Sequence, residues 1–179
     1  MLTIQRIKSL LHYNPETGEF TWLERKPSDF KANWICYAWN ARFSGKPAGT
    51  VNQGYISIWI DGKGRLAHRL AFLFMTGSVP PTVDHRDRVK TNNAWDNLRC
   101  ASMKHNRANT NVRRGNTSGF KGVSFHRREG KYRARIGISG TVRQIGNFDC
   151  PREAAKAYDE VAIVAFGEYA LTNKMMGLV

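Results

Sequence analysis

Three short strand patterns followed by one long, alanine-rich helix pattern constrain the last third of this 179-residue chain more tightly than anything before it is constrained. The strands read as Phe120–His126, Lys131–Ile138 after a turn at Glu129-Gly130, and Thr141–Phe148. A helix then opens at Cys150-Pro151-Arg152-Glu153. Proline is tolerated in a first turn, and a glutamate there suits the positive end of the helix dipole. Ala154, Ala155, Ala157, Tyr158, Val161, Ala162, Val164 and Ala165 make its packing face, and Gly167 ends it.

Upstream the punctuation is denser. Ile4, Ile7 and Leu11, with Leu10 beside them, recur at helical spacing and predict a short first helix. Asn14-Pro15-Glu16-Thr17-Gly18 is turn chemistry, and Glu19–Trp22 alternates as a strand. Residues 24–49 read as irregular, with Trp34, Tyr37, Trp39 and Phe43 as a satellite core or a stacking surface for bases; core is the better fit. Gly54–Ile60 is a strand, Asp61-Gly62-Lys63-Gly64 a hairpin turn, and Arg65–Leu70 a returning strand or the start of a helix running to Phe74. His68-Arg69 stands out there, although a histidine bonded within this platform explains it without catalysis. Residues 110–119 are polar and basic, a linker able to lie along phosphates through Arg113 and Arg114.

Charge selects the partner. The formal net charge is +14, which points to nucleic acid first and an anionic membrane second. Residues 111–143 hold nine basic side chains and one acidic, whereas residues 144–179 hold three and five. A basic face followed by a mildly acidic one fits a directed nucleic-acid surface. The three cysteines, Cys36, Cys100 and Cys150, lack metal-ligand spacing and suit neither a disulfide framework nor a structural zinc. The first residues do not form a secretory signal, and Leu70–Met75 is too short an apolar run to span a membrane.

Most of the chemistry lies between Val83 and Arg107. Asp84 and His85 are adjacent, and at a strand end both can reach one site. A carboxylate holds a hard divalent ion, and a neutral imidazole can take a proton from water. Phosphodiester hydrolysis needs both functions. Asn106, on a predicted helix, is the candidate second ligand, with His105 as a rival or a plain helix residue; Asn97 could orient the histidine. Asn92-Asn93 and Asp96-Asn97 are turn formers by composition.

The ordered set Val83-Asp84-His85, Asn92-Asn93, Asp96-Asn97-Leu98-Arg99 and Asn106, preceded by Ala67-His68-Arg69-Leu70, resembles the HNH (beta-beta-alpha-metal) nucleases of phage and intron homing endonucleases. The resemblance covers about residues 50–110 and implies His85 as general base, Asp84 and Asn106 as metal ligands, and Asn97 bracing the loop and the base. It implies one Mg²⁺ or Mn²⁺ ion per active site. A second resemblance, over about residues 117–173, is to the APETALA/ethylene-response-factor type of DNA-binding domain. Gly119–Val123, Lys131–Ala134, Ile145–Phe148 and Glu153–Asp159 carry it. It implies a three-stranded antiparallel sheet packed on one helix, with the sheet entering the major groove. By position the DNA-binding candidates are Lys121, Ser124, His126, Arg133, Arg135, Arg143 and Gln144.

Together these define an α+β chain: an N-terminal β-ribbon platform with a beta-beta-alpha-metal nuclease core over residues 1–110, a basic linker over 111–118, and the DNA-binding sheet and helix over 119–179. The expected function is sequence-directed cleavage of double-stranded DNA by a homing-type enzyme, a monomer with no protein or membrane partner, working in the cytoplasm of a host cell if phage-encoded. The alternative is a non-catalytic DNA-binding transcription regulator on a retained nuclease scaffold. A basic ribosomal or RNA-binding protein would explain the charge but not the ordered Asp-His-Asn set.

Overall fold

The computed structural model describes residues 2–179, a mixture of small antiparallel sheets and helices in two compact units that divide between Cys100 and Ala101. In the first unit Thr3 caps α1 (Ile4–Leu10) by accepting the Arg6 N–H. The chain passes directly into β1 (Leu11–Tyr13), which pairs antiparallel with β2 (Phe20–Trp22) across the expected turn. Ile7 and Leu10 are almost fully buried on the helix, whereas Leu11, expected on the same helical face, is buried as the first residue of β1.

The segment read as irregular contains a helix, α2 (Asn33–Phe43). Only Cys36 is buried along it, and Trp34 and Tyr37 are largely exposed. With apolar side chains on both sides, no amphipathic period announces it. Trp39 and Phe43 do form a satellite core, with ring centroids 5.3 Å apart and Trp22 5.4 Å from Trp39.

Three strands follow in the order β3 (Thr50–Asn52), β4 (Tyr55–Ile60) and β5 (Lys63–Leu66), all antiparallel, and β5 runs straight into α3 (Ala67–Thr76). Ile58, Ile60, Ala67, Leu70 and Ala71 join α1, β1 and β2 in one core with Val83 and Leu98. Those two residues belong to β6 (Thr82–His85) and β7 (Leu98–Ala101), which pair with each other. The core thus grips one side of the β6–β7 pair.

In the second unit Ser102 caps α4 (Met103–Ala108) by accepting the His105 N–H. The sheet has the order β10 (Thr141–Phe148), β9 (Lys131–Ile138), β8 (Val123–His126), antiparallel throughout, with an irregularity between Gln144 and Gly146. It packs on α5 (Pro151–Phe166). Val123 and Ala134 meet Ala154 and Ala155, while Ile136 meets Tyr158, Ala162 and Phe166. Two alanines with no exposed surface let helix and sheet approach closely. Val164, expected on the packing face, is 89% exposed, because the buried face of α5 runs through residues 154, 155, 158, 162 and 166.

Candidate active site and nucleic-acid interface

Val83, Asp84 and His85 are all buried at the end of β6. Arg99, on the paired strand, meets Asp84 Oδ2 with Nε at 2.8 Å and a terminal nitrogen at 2.7 Å. Both side chains are nearly closed to solvent, and each supplies the counter-charge that makes burial of the other tolerable. Arg99 stands in the motif, but the sequence did not mark it as Asp84's partner.

His85 Nε2 lies 3.3 Å from Oδ1 of Asn93, which is almost wholly buried. The amide of Asn93 is oriented by its other end, because Nδ2 donates to the Thr91 carbonyl. Its oxygen therefore faces the imidazole and must accept, so Nε2 carries the proton and the lone pair sits on Nδ1. Burial pushes the pKa of His85 below the ordinary histidine value, against the opposing pull of Asn93, Asp87 and Asp84. Burial thus favours the neutral imidazole, and the Asn93 oxygen favours the tautomer protonated on Nε2.

The N-terminal hairpin holds Asn93 in place. Tyr13 Oη donates to the Asn93 carbonyl at 2.7 Å, and the Trp95 N–H donates to the Pro15 carbonyl at 2.8 Å. Burial pushes the Tyr13 pKa up to about 12, so the phenol remains a donor. Gly18, at φ +75°, lies so close to the loop that a Cβ would sit 2.1 Å from the Asn93 carbonyl carbon.

Asn97 ties the loop between β6 and β7 together. Its Nδ2 donates to Asp87 Oδ1 and to the Asn92 carbonyl, and its Oδ1 accepts the Asp87 N–H. Of the two tasks the resemblance implies for it, bracing the loop and bracing the base, the loop bonds occupy its amide, and Asn93 supplies the contact at His85 Nε2. Asp87 is the hub of the loop. Burial opposes its charge, yet the Val89 N–H and the amides of Asn92 and Asn97 hold its pKa below the usual carboxylate value. Its Asx pattern with Val89 was the available signal.

Beside His85 stands a second buried imidazole. The His68 ring is 5.1 Å from that of His85, edge to face, and 5.3 Å from the Tyr55 ring. Burial, aided by His85 and Arg69, pushes its pKa down to about 4, and its Nδ1 has no hydrogen-bond partner.

Asn106 is exposed on α4, in the second unit. Its neighbour His105 stacks on Tyr169 with centroids 4.2 Å apart and planes 12° from parallel, so that ring is engaged in packing. No group of three or more His, Cys, Asp or Glu side chains able to hold a metal occurs among the described residues. Asp84 and Asn106 are both oxygen donors. Oxygen donors of this kind suit a hard cation that keeps several waters, as Mg²⁺ does, and do not suit a zinc cage.

Strand register divides the DNA-binding candidates. Directly opposed residues share a face. Ser124 opposes Arg133, His126 opposes Lys131, Gln144 opposes Arg135, and Asn147 opposes Arg133. These lie on the face away from α5, since Ala134 and Ile136 point into the core. Arg143 opposes Ile136 and so lies on the other face, although it is exposed. Lys121 is committed elsewhere: its Nζ donates to the carbonyls of Ala108 and Leu171 at 2.6 and 2.9 Å. Asn147 and Glu129, which the sequence did not single out, form a network with Arg133 on the outer face. Arg113 is exposed and helps to line a cleft of about 670 Å³ with Lys104, Arg107, Lys121 and Arg135, and no acidic residue lines it. Arg114 is also exposed.

Residues 65–108, which span β5 to α4, match the family of HNH endonucleases. Among curated relatives, an uncharacterized HNH endonuclease, L560, of Acanthamoeba polyphaga mimivirus is 32% identical over 68% of this chain and 64% of its own length. Protein 3.8 of Escherichia phage T7 is 38% identical over 42% of this chain and 63% of its own. The AP2-like ethylene-responsive transcription factor TOE2 of Arabidopsis thaliana is 36% identical over 36% of this chain and 13% of its own. The chain spans less than two thirds of the length of each of these relatives. No helix among the described residues is long and apolar enough to cross a membrane.

Proposed function

We propose that this chain is a divalent-metal-dependent, sequence-directed endonuclease of homing type acting on double-stranded DNA. The observation that carries the reading is the His85–Asn93 pair, buried within a segment that matches the HNH endonucleases. His85 takes the proton of the attacking water on Nδ1, the nitrogen that Asn93 leaves basic. Asn97 and Asp87 keep the loop closed behind it. Asp84, held by Arg99, and Asn106 would bind one Mg²⁺ or Mn²⁺ ion. When bound, that ion would supply positive charge to the scissile phosphate and the leaving oxygen.

Site choice belongs to the second unit in this reading. Ser124, His126, Arg133, Arg135 and Gln144 present donors and acceptors from one sheet face, the arrangement a major groove can accept. Arg113 and Arg114, with Lys104 and Arg107 of the acid-free cleft, supply phosphate contacts. The test is nicking of plasmid DNA with Mg²⁺ or Mn²⁺ by the wild type and by His85→Ala. The variant is expected to lose cleavage while binding DNA as before. Cleavage at the wild-type rate by His85→Ala would remove the histidine from the chemistry.

A further inference from the structure

Two carboxylates stand beside basic side chains of the outer sheet face: Asp149 lies 3.4 Å from the Lys131 ammonium, and Glu129 pairs with Arg133. Glu129, in the β8–β9 turn, is the only acidic residue between positions 111 and 143. A negative charge there repels the phosphates that the face would meet, so it costs affinity. Its contacts show what it does instead. Oε1 accepts from an Arg133 terminal nitrogen at 3.1 Å, and Oε2 accepts from Asn147 Nδ2 at 2.8 Å. Asn147 Oδ1 in turn accepts from Arg133 Nε at 3.3 Å and from Gln144 Nε2 at 3.2 Å. His126 Nδ1 stands 3.6 Å from Oε1, beyond hydrogen-bond reach.

This network has a direction. An ionised carboxylate can only accept. It therefore draws the amino end of the Asn147 amide, which turns the Asn147 oxygen toward Arg133 and Gln144. Gln144 must then offer its own amino end inward and present its oxygen outward. Arg133 is held by two nitrogens, and its side chain is only 21% exposed. One acidic residue in a turn thus fixes which atoms Arg133 and Gln144 show.

We propose that Glu129 is a positioning residue for sequence recognition: by orienting Arg133 and, through Asn147, Gln144, it determines which base edges the sheet accepts. The inference rests on the reading of this sheet as a DNA-binding face. Specificity is gained at the expense of general affinity, and that gives the proposal its signature.

The test is selection of bound sites from a randomised duplex pool by the full chain, followed by anisotropy titrations on the preferred site, its single-base variants and an unrelated duplex. For Glu129→Ala the preference at the most discriminating base should fall about tenfold, the scale of one well-made base contact. Affinity for the unrelated duplex should rise. Glu129→Gln keeps one acceptor oxygen but must turn its amino end toward either Arg133 or Asn147, both of which donate, so it should change the selected sequence. An unaltered preference in both variants would overturn the proposal. So would an equal loss of affinity for every duplex, the mark of a turn residue that only supports folding. If the wild type selects no sequence at all, the DNA-reading role of the sheet falls, and this inference falls with it.

Discussion

Replacing Gly18 with alanine should damage the candidate catalytic loop from outside it. The added Cβ would lie 2.1 Å from the Asn93 carbonyl carbon and 2.2 Å from the Ala94 nitrogen. Both are backbone atoms, and real Cβ atoms essentially never come within 3.0 Å of a neighbour, so the loop must retreat by about 1 Å. Asn93 would carry that displacement to His85 Nε2. Misplacement on that scale costs about 10²-fold in rate. Alanine at φ +75° also carries backbone strain of roughly 1–2 kcal/mol. Gly45 supplies the control: its φ is also +75°, yet a Cβ there meets nothing within 4 Å. Gly45→Ala should therefore show the strain alone, as a lower urea midpoint with the cleavage rate unchanged. Gly18→Ala should be destabilised further and, when folded, should cleave about 100-fold more slowly in single-turnover plasmid assays. A folded Gly18→Ala protein that cleaves as fast as Gly45→Ala would refute the argument that the hairpin positions the base.

Three further outcomes can be checked on purified protein. The pKa of His68 is about 4 when folded against 6.5 ordinarily, so the unfolded chain takes up its proton first. The associated stability is present above pH 6.5 and is lost as pH falls toward 4, by at most about 1.4 kcal/mol per pH unit. Urea melts at pH 7 and pH 5 should show that loss in the wild type and a smaller one in His68→Leu; an equal loss in both would assign it elsewhere. Lys121→Met should lower stability by about 1–3 kcal/mol, because two carbonyls lose a charged donor, while the salt dependence of DNA binding stays the same. The double variant Lys104→Gln, Arg107→Gln should reduce the slope of log affinity against log salt by about 2, and an unchanged slope would remove the cleft from the DNA interface.

Where one local rule sufficed, the sequence was legible. Helix α1 and the strand–turn series ending in α5 each carried an uncontested period or turn signal, whereas after β4 the turn was legible but the return through Arg65 left strand and helix open, and β5 begins already at Lys63. Helix α2 was hidden because its aromatics are split between a small cluster and solvent. At the candidate site, motif order picked out His85 and the loop asparagines but could not divide their tasks. Only three-dimensional proximity places Asn93 on the imidazole and Asn97 on Asp87. At Lys121 the family resemblance suggested DNA, whereas its ammonium donates to two carbonyls just before β8. Glu129 escaped notice for the opposite reason, since an acid in a turn looks like solvent-facing filler.

The Ala108 carbonyl bears on how such a chain can be recombined. It accepts both the Lys121 ammonium and the Leu171 N–H, and Lys121 is also bonded through its backbone to Asn173, which Asp159 of α5 holds. The helix that carries Asn106 is thereby fastened to Lys121 and to the segment at residues 171–173. A chimera joined at the polar stretch around residue 115, the obvious seam, would graft a new reading module and at the same moment take both donors from α4. Exchange of target specificity should succeed only when the crossover lies before Ser102, so that the short helix travels with the sheet that anchors it.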